Sequence, residues 1–237
     1  MNDYKPPIIC ARKVSRVFGT GEQRTIAVNE VDLDVGKGEF LAVVGRSGSG
    51  KTTLLNLLSG LDRPTSGHVT LEGRDLAQMS DDELVQLRRH KMSFVFQSFA
   101  LLPLLSAYEN VELPLRIQGL PRRERRARIE QALERVGLTS RAHHRPYELS
   151  GGEQQRVGIA RAIVTKPQIV FADEPTGELD STNAHMIGDI LRGIAAEGKV
   201  TVIVVTHDPH IAAMADRVVE LHDGVVVEEG VISAQIR

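Results

Sequence analysis

One stretch constrains this chain more than any other: Gly45 to Thr52, reading GRSGSGKT. It fills every fixed position of the pattern G-x-x-x-x-G-K-[ST], a glycine-rich loop whose backbone N–H groups cradle phosphate oxygens. An apolar, partly β-branched run, Phe40 to Val44, precedes it and reads as a buried strand; Lys51 to Leu58 reads as a helix that stops near Gly60. Strand, glycine loop, helix is the context the pattern needs. Glycines let successive N–H groups turn towards an anion, and the helix N-terminus adds partial positive charge. Lys51 is placed to reach the β- and γ-phosphates of a nucleotide, and the Thr52 hydroxyl to ligate Mg²⁺. With ordinary residue usage the pattern arises by accident in a chain this long about once in a hundred times, so nucleotide binding is the expectation.

The 237 residues suit one large domain, or a core with a lobe inserted in it. Hydrophobic residues at 41% and charged residues at 25% are ordinary for a globular protein, and a net charge of −2 gives no electrostatic ground for a nucleic-acid partner. The single cysteine, Cys10, excludes an internal disulfide and fits a reducing compartment. No apolar run approaches the length that crosses a bilayer, and the opening MNDYKPP lacks the regions of a signal peptide. A cytosolic chain is expected, with any membrane role supplied by a partner.

Strands are expected at Ile8 to Phe18, Val28 to Val35, His68 to Leu71, Ser93 to Phe96, Gln168 to Ala172 and Val200 to Val205, with a hairpin across Asp223-Gly224. Helices alternate with them: one after the capping box Ser80 to Glu83, one from Glu153 to Thr165, and one from Ser181 to Ala195. That alternation implies a parallel sheet covered on both faces. Between Phe99 and about Arg156 the texture changes to a largely helical lobe punctuated by Pro103, Pro114 and Pro121. Its helix Arg122 to Val136 carries five arginines in its first two turns; without interleaved aromatics these read as a solvated face rather than a nucleic-acid surface.

Further chemistry stands at strand ends. Asp173, closing the strand Gln168 to Ala172, is placed to hold Mg²⁺, and Glu174 to polarise a water for attack on a γ-phosphate. His207 and Gln97 also follow strands; the first can donate to a γ-phosphate oxygen or the water, the second can contact the metal or the water. Leu149 to Gln154, reading LSGGEQ, offers Ser150 as an N-cap and two glycines whose N–H groups face outward at a helix terminus. One nucleotide does not need two such termini, so the second would serve the nucleotide of another copy across a dimer.

Taken in order, these motifs resemble an ABC-type ATP-binding cassette. Gly45 to Thr52 matches Walker A, Gln97 the Q-loop, Leu149 to Gln154 the signature, Gln168 to Glu174 Walker B with its catalytic glutamate, Glu178-Leu179-Asp180 the D-loop and His207 the switch histidine. Phe18 matches the aromatic that stacks on adenine, where tyrosine is commoner, and Glu178 stands where asparagine or alanine is usual. The strings "LDRPTSG", "FVFQSFALLPLLSAYENVELPL", "RPYELSGGEQQRVGIARA" and "ADEPTGELDS" are similar to the subfamily serving lipoprotein release, macrolide efflux and related export.

The resemblance implies an α/β fold: a RecA-like core with a small antiparallel β subdomain (1–97 and 157–237) and an inserted α-helical subdomain (98–156). It implies an ATPase with ATP and Mg²⁺ as cofactors. Catalysis would fall to Glu174, His207, Gln97 and Lys51, and metal binding to Thr52, Gln97 and Asp173. Nucleotide contacts would come from Phe18, from Gly45, Arg46, Ser47, Gly48, Ser49, Gly50, Lys51, Thr52 and Thr53, and from Gln97. Ser150, Gly151, Gly152, Glu153, Gln154 and Asp180 would act across an ATP-dependent homodimer. The partner would be an integral membrane permease, docked in part through the apolar stretch Phe99 to Leu105, which places the chain on the cytoplasmic face of the membrane. The alternative is a regulatory cassette that signals through a membrane partner to envelope enzymes and transports nothing.

Overall fold

In the computed structural model, which describes residues 6–231, the apolar runs become strands of two sheets. The ends of the expected domain span, 1–5 and 232–237, lie outside the described residues. Strands β1 (Ile9–Phe18), β2 (Thr25–Val35), β4 (Ser66–Leu71) and β5 (Arg74–Asp75) form an antiparallel sheet in the order β2-β1-β4-β5. Strands β3 (Phe40–Val44), β6 (Met92–Val95), β7 (Ile169–Asp173), β8 (Thr201–Val205), β9 (Arg217–His222) and β10 (Val225–Val231) form a second sheet in the order β10-β9-β3-β8-β7-β6. It is parallel throughout except for the β9–β10 hairpin.

The central strands are apolar on both faces because both are covered. Leu41 and Val43, Ile169 and Phe171, Ile203 and Val205 point to one side, into a core shared with the antiparallel sheet (Ile9, Leu33, Val69) and with helices α1 (Lys51–Leu58) and α2 (Asp81–His90). Phe40 and Ala42, Val170 and Ala172, Val202 and Val204 point to the other, into a core built with α3 (Ala107–Ile117), α4 (Arg122–Arg135), α5 (Gly151–Ile163), α6 (Ser181–Ala196) and α7 (Pro209–Met214). A period-2 strand thus supplies both layers at once.

Register decides where chemistry collects. Val43 pairs with Val205, and Val205 in turn with Asp173, so β3, β8 and β7 end level with one another. Gly45, Thr206-His207 and Glu174 therefore emerge on one rim, the carboxyl edge of a parallel sheet where ligands bind.

Two local expectations change. Pro114 lies inside α3 rather than breaking it. The ring removes one helical hydrogen bond, but Val111 and Leu115 are fully buried on either side and packing outweighs that loss. Helix α5 begins at Gly151, ahead of the expected Glu153, because Ser150 caps it there; residue 156, the expected edge of the helical lobe, falls inside α5. The loop after Gln97 also has an organiser that periodicity could not reveal. Buried Asn110 accepts from the Leu102 N–H at 2.8 Å and donates to the carbonyls of Leu102, Leu105 and Ser106.

Candidate active site

The phosphate loop is held by its neighbours as much as by its own turns. A side chain at Gly50 would put Cβ 2.0 Å from the Ala27 carbonyl of β2, and one at Gly45 2.2 Å from the Leu221 carbonyl of β9. Both glycines have left-handed φ (101° and 150°), so sterics and backbone each require the residue. Gly48, by contrast, faces open space. The Ser49 N–H donates to the Arg46 carbonyl at 3.2 Å, and the Ser49 carbonyl accepts from Gly224 N–H at 2.9 Å. The buried Ser49 hydroxyl has no partner among the described residues.

Lys51, only 7% exposed, folds its ammonium back over the loop. Nζ donates to Gly45 O at 2.9 Å and Arg46 O at 3.1 Å, and stands 3.8 Å from Glu174 Oε1. The next residue reaches the other strand: Thr52 Oγ1 donates to Asp173 Oδ1 at 3.0 Å. Burial pushes the Asp173 carboxyl above its ordinary value; the Thr52 hydrogen bond opposes this, the Glu174 charge adds to it and Lys51 opposes it. Glu174 takes a left-handed backbone (φ 45°), pinned by its N–H on Val205 O at 2.8 Å. Its Oε2 meets His207 Nδ1 at 2.8 Å and the His207 N–H at 3.2 Å.

These groups line one cleft of about 660 Å³, bounded by Ser47, Gly48, Gly50, Lys51, Thr52, Thr53, Gln97, Glu174 and His207, with Thr25, Ile26 and Ala27 of β2 on the far wall. A buried cation 3.8 Å from one carboxylate, with a hydroxyl–carboxylate pair next to it in the chain, suits a polyphosphate.

The ABC transporter family model matches residues 28–177. The chain belongs to the ABC transporter family. Among similar proteins, it is 49% identical over 229 residues to the macrolide export ATP-binding/permease protein MacB 1/2 of Paracoccus denitrificans (strain Pd 1222), covering 97% of this chain and 34% of that protein. It is 48% identical over 223 residues to the macrolide export ATP-binding/permease protein MacB of Azoarcus sp. (strain BH72), covering 94% and 34%. The chain thus spans about a third of the length of the curated relatives it matches. Among solved structures, the ATP-binding cassette MJ0796, seen as a dimer in a post-hydrolysis state with ADP and Pi, superposes with a TM-score of 0.87 at 41% identity, covering 95% of this chain and 99% of that one.

The chain is therefore an ATP-binding cassette and, by family, an ATPase with a RecA-like core, an antiparallel β portion and a helical portion. Of the expected residues, the Walker A loop, Gln97, Asp173, Glu174 and His207 collect at the rim. Phe18 does not line the cleft; it ends β1 opposite Thr25, which does, and the Arg16 guanidinium lies 4.6 Å above its ring. The signature stands apart too. Ser150 Oγ accepts from Glu153 N–H at 3.2 Å, Glu153 Oε2 accepts from Ser150 N–H at 2.9 Å, and Gln154 donates to Leu149 O at 3.1 Å. None of 150–154 lines the cleft. Asp180 caps α6, accepting from the N–H and side-chain amide of Asn183 at 2.9 Å and 2.7 Å. Asn183 explains Gly152: a Cβ there would lie 2.0 Å from Asn183 Oδ1. Sequence reasoning missed this pairing and the β2 wall, both of which depend on contacts distant along the chain.

Proposed function

We propose that this cassette binds ATP with Mg²⁺ and hydrolyses it as one half of a symmetric dimer that drives a membrane permease of the export type. The observation that carries the reading is the division of the phosphate-binding machinery. Lys51, Thr52 and Glu174 line one cleft, with Asp173 hydrogen-bonded to Thr52, while the second glycine-led helix terminus, at Gly151 and Gly152, does not line it. A second copy would bring its terminus over the first copy's cleft, and the reverse.

The residues present fit Mg²⁺. A hydroxyl and a carboxylate within 3.0 Å of each other are hard oxygen donors, and a partly buried carboxylate gains from a cation. Thr52 and Asp173 would hold it, with the Gln97 amide able to join; when bound, the ion would offset the negative charge of the phosphates. Within the chain, Lys51 would leave the Gly45 and Arg46 carbonyls for the β- and γ-phosphates. Glu174 would orient and deprotonate the attacking water, and His207, hydrogen-bonded to Glu174, would fix that carboxylate and donate towards the γ-phosphate. Phe18 and the β2 wall would receive the base.

Export follows the names of the relatives, proteins of macrolide export that join an ATP-binding part to a permease. Among the described residues no helix is long and apolar enough to cross a membrane. The cassette would then be held at the cytoplasmic face through its permease, and nucleic acid has no part in the reading. Calorimetry on Lys51→Ala tests the site: ATP affinity is expected to fall by about a hundredfold, as for loss of a buried charge-assisted contact, with folding intact. Wild-type affinity in that variant would contradict the assignment.

A further inference from the structure

Helix α5 grips the backbone on both sides of Gln97. Fully buried Gln155 donates from Nε2 to the Phe96 carbonyl at 3.2 Å and to the Pro175 carbonyl, just past Glu174, at 2.6 Å. Two turns on, the Arg161 guanidinium donates to Ala100 O at 2.5 Å and Phe99 O at 3.1 Å. Arg161 makes no ion pair among the described residues, although burial weighs against its charge. Its fork is spent on two backbone carbonyls.

Those carbonyls belong to an unusual pair. Phe99 and Ala100 both have left-handed φ, 58° and 49°, without being glycine. Such a conformation persists only where the surroundings enforce it. Phe99 lies along α5: its carbonyl would be 3.5 Å from a Cβ at Gly158, and its ring tip 3.6 Å from a Cβ at Gly151. Phe99 thus packs along α5 at two of its glycines, and one of them opens the signature helix.

We propose that Arg161 and Gln155 are positioning residues for hydrolysis, locking Gln97 to the signature helix so that the two move as one body. The proposal rests on the reading that Gln97 serves the nucleotide. A shift of α5 towards a second copy's nucleotide would displace Phe96, Phe99 and Ala100, and with them the Gln97 amide at the chain's own cleft. The link to Pro175 carries the same displacement to the turn beside Glu174.

The test uses the full chain with Arg161→Met and Arg161→Lys, titrating nucleotide-binding sites with a fluorescent ATP analogue and expressing turnover per competent site. Arg161→Met is expected to lower kcat per competent site about tenfold while KM stays within about twofold, since an interaction acting after binding is lost. Arg161→Lys, which keeps the cation but not the fork, should fall between. Adding Ala100→Gly to Arg161→Met should restore part of kcat, because glycine takes a left-handed φ unaided. A purely structural role would reduce the number of competent sites and leave kcat per site unchanged; that result overturns the proposal. If Arg161→Met yields no nucleotide-binding chain, Arg161→Lys decides: reduced turnover per site supports the proposal and wild-type turnover overturns it. If the wild-type chain binds ATP without hydrolysing it, the proposed function fails instead. The lock is then read from amide exchange over Gln97 to Leu101, faster in Arg161→Met with β7 and β8 unchanged if it exists, and the same as wild type if it does not.

Discussion

Asp173 shows at a single residue how a site is kept ready for a ligand. Burial disfavours its charge, so its pKa is raised above the ordinary value. A carboxyl raised in the folded state favours folding only while protonated, and that contribution is lost as pH rises through its folded value. At neutral pH the nucleotide-free cassette therefore carries a cost at this position. Asp173→Asn removes the charge while its amide oxygen still accepts from Thr52. The melting temperature of the nucleotide-free chain should rise at pH 7, the gain should shrink towards acid, and stabilisation by ATP with Mg²⁺ should be lost; scanning calorimetry at several pH values reads all three. Lys51, Thr52, Asp173 and Glu174 were legible because motif spacing fixes them against the backbone. Asn110, Gln155 and Asn183 were not, since their value lies in carbonyls or glycines that local periodicity does not bring near.

Among the elements, α5 joins cap, signature and Q-loop support in 13 residues. The Ser150 N–H holds the Glu153 carboxylate below its ordinary 4.5, with the Ser150 hydroxyl and Arg141 adding to the effect. A lowered carboxyl contributes stability present above its unfolded value and lost as pH falls through the folded one. Glu153→Ala should cost about 1 kcal/mol at pH 7 in a denaturant titration, and the difference from wild type should vanish as pH falls below 4.5. The stretch after Gln97 divides by exposure. Leu104 is 81% exposed, whereas Leu101 is half-buried against the core under α3 to α6. Leu104→Asp should leave the melting temperature within about 1 °C of wild type and keep ATPase, yet reduce co-purification with the membrane subunit. Leu101→Asp should lose about 2 kcal/mol of stability, since it desolvates a charge. Composition marks the whole stretch as apolar; which leucine faces out is decided by Asn110, which fixes the loop from Leu102 to Ser106. Long buried strands were readable because apolar runs bounded by glycine leave little choice. The short α7 was missed because six residues carry too little periodicity to announce themselves.

For the whole molecule, the rim of the parallel sheet and the signature terminus stand apart in one chain, and the account turns on a second copy uniting them. Glu174→Gln isolates that step. It keeps the shape of the side chain near Lys51 and His207 but cannot take a proton, so hydrolysis should slow by about a hundredfold or more while ATP still binds. Size-exclusion chromatography with light scattering, on Glu174→Gln with ATP and Mg²⁺, therefore tests the central claim directly. The account predicts a species of twice the 26.0 kDa chain mass that reverts to one chain when nucleotide is removed. A variant that stays at the single-chain mass at saturating ATP, and turns over ATP at the wild-type rate, would contradict it.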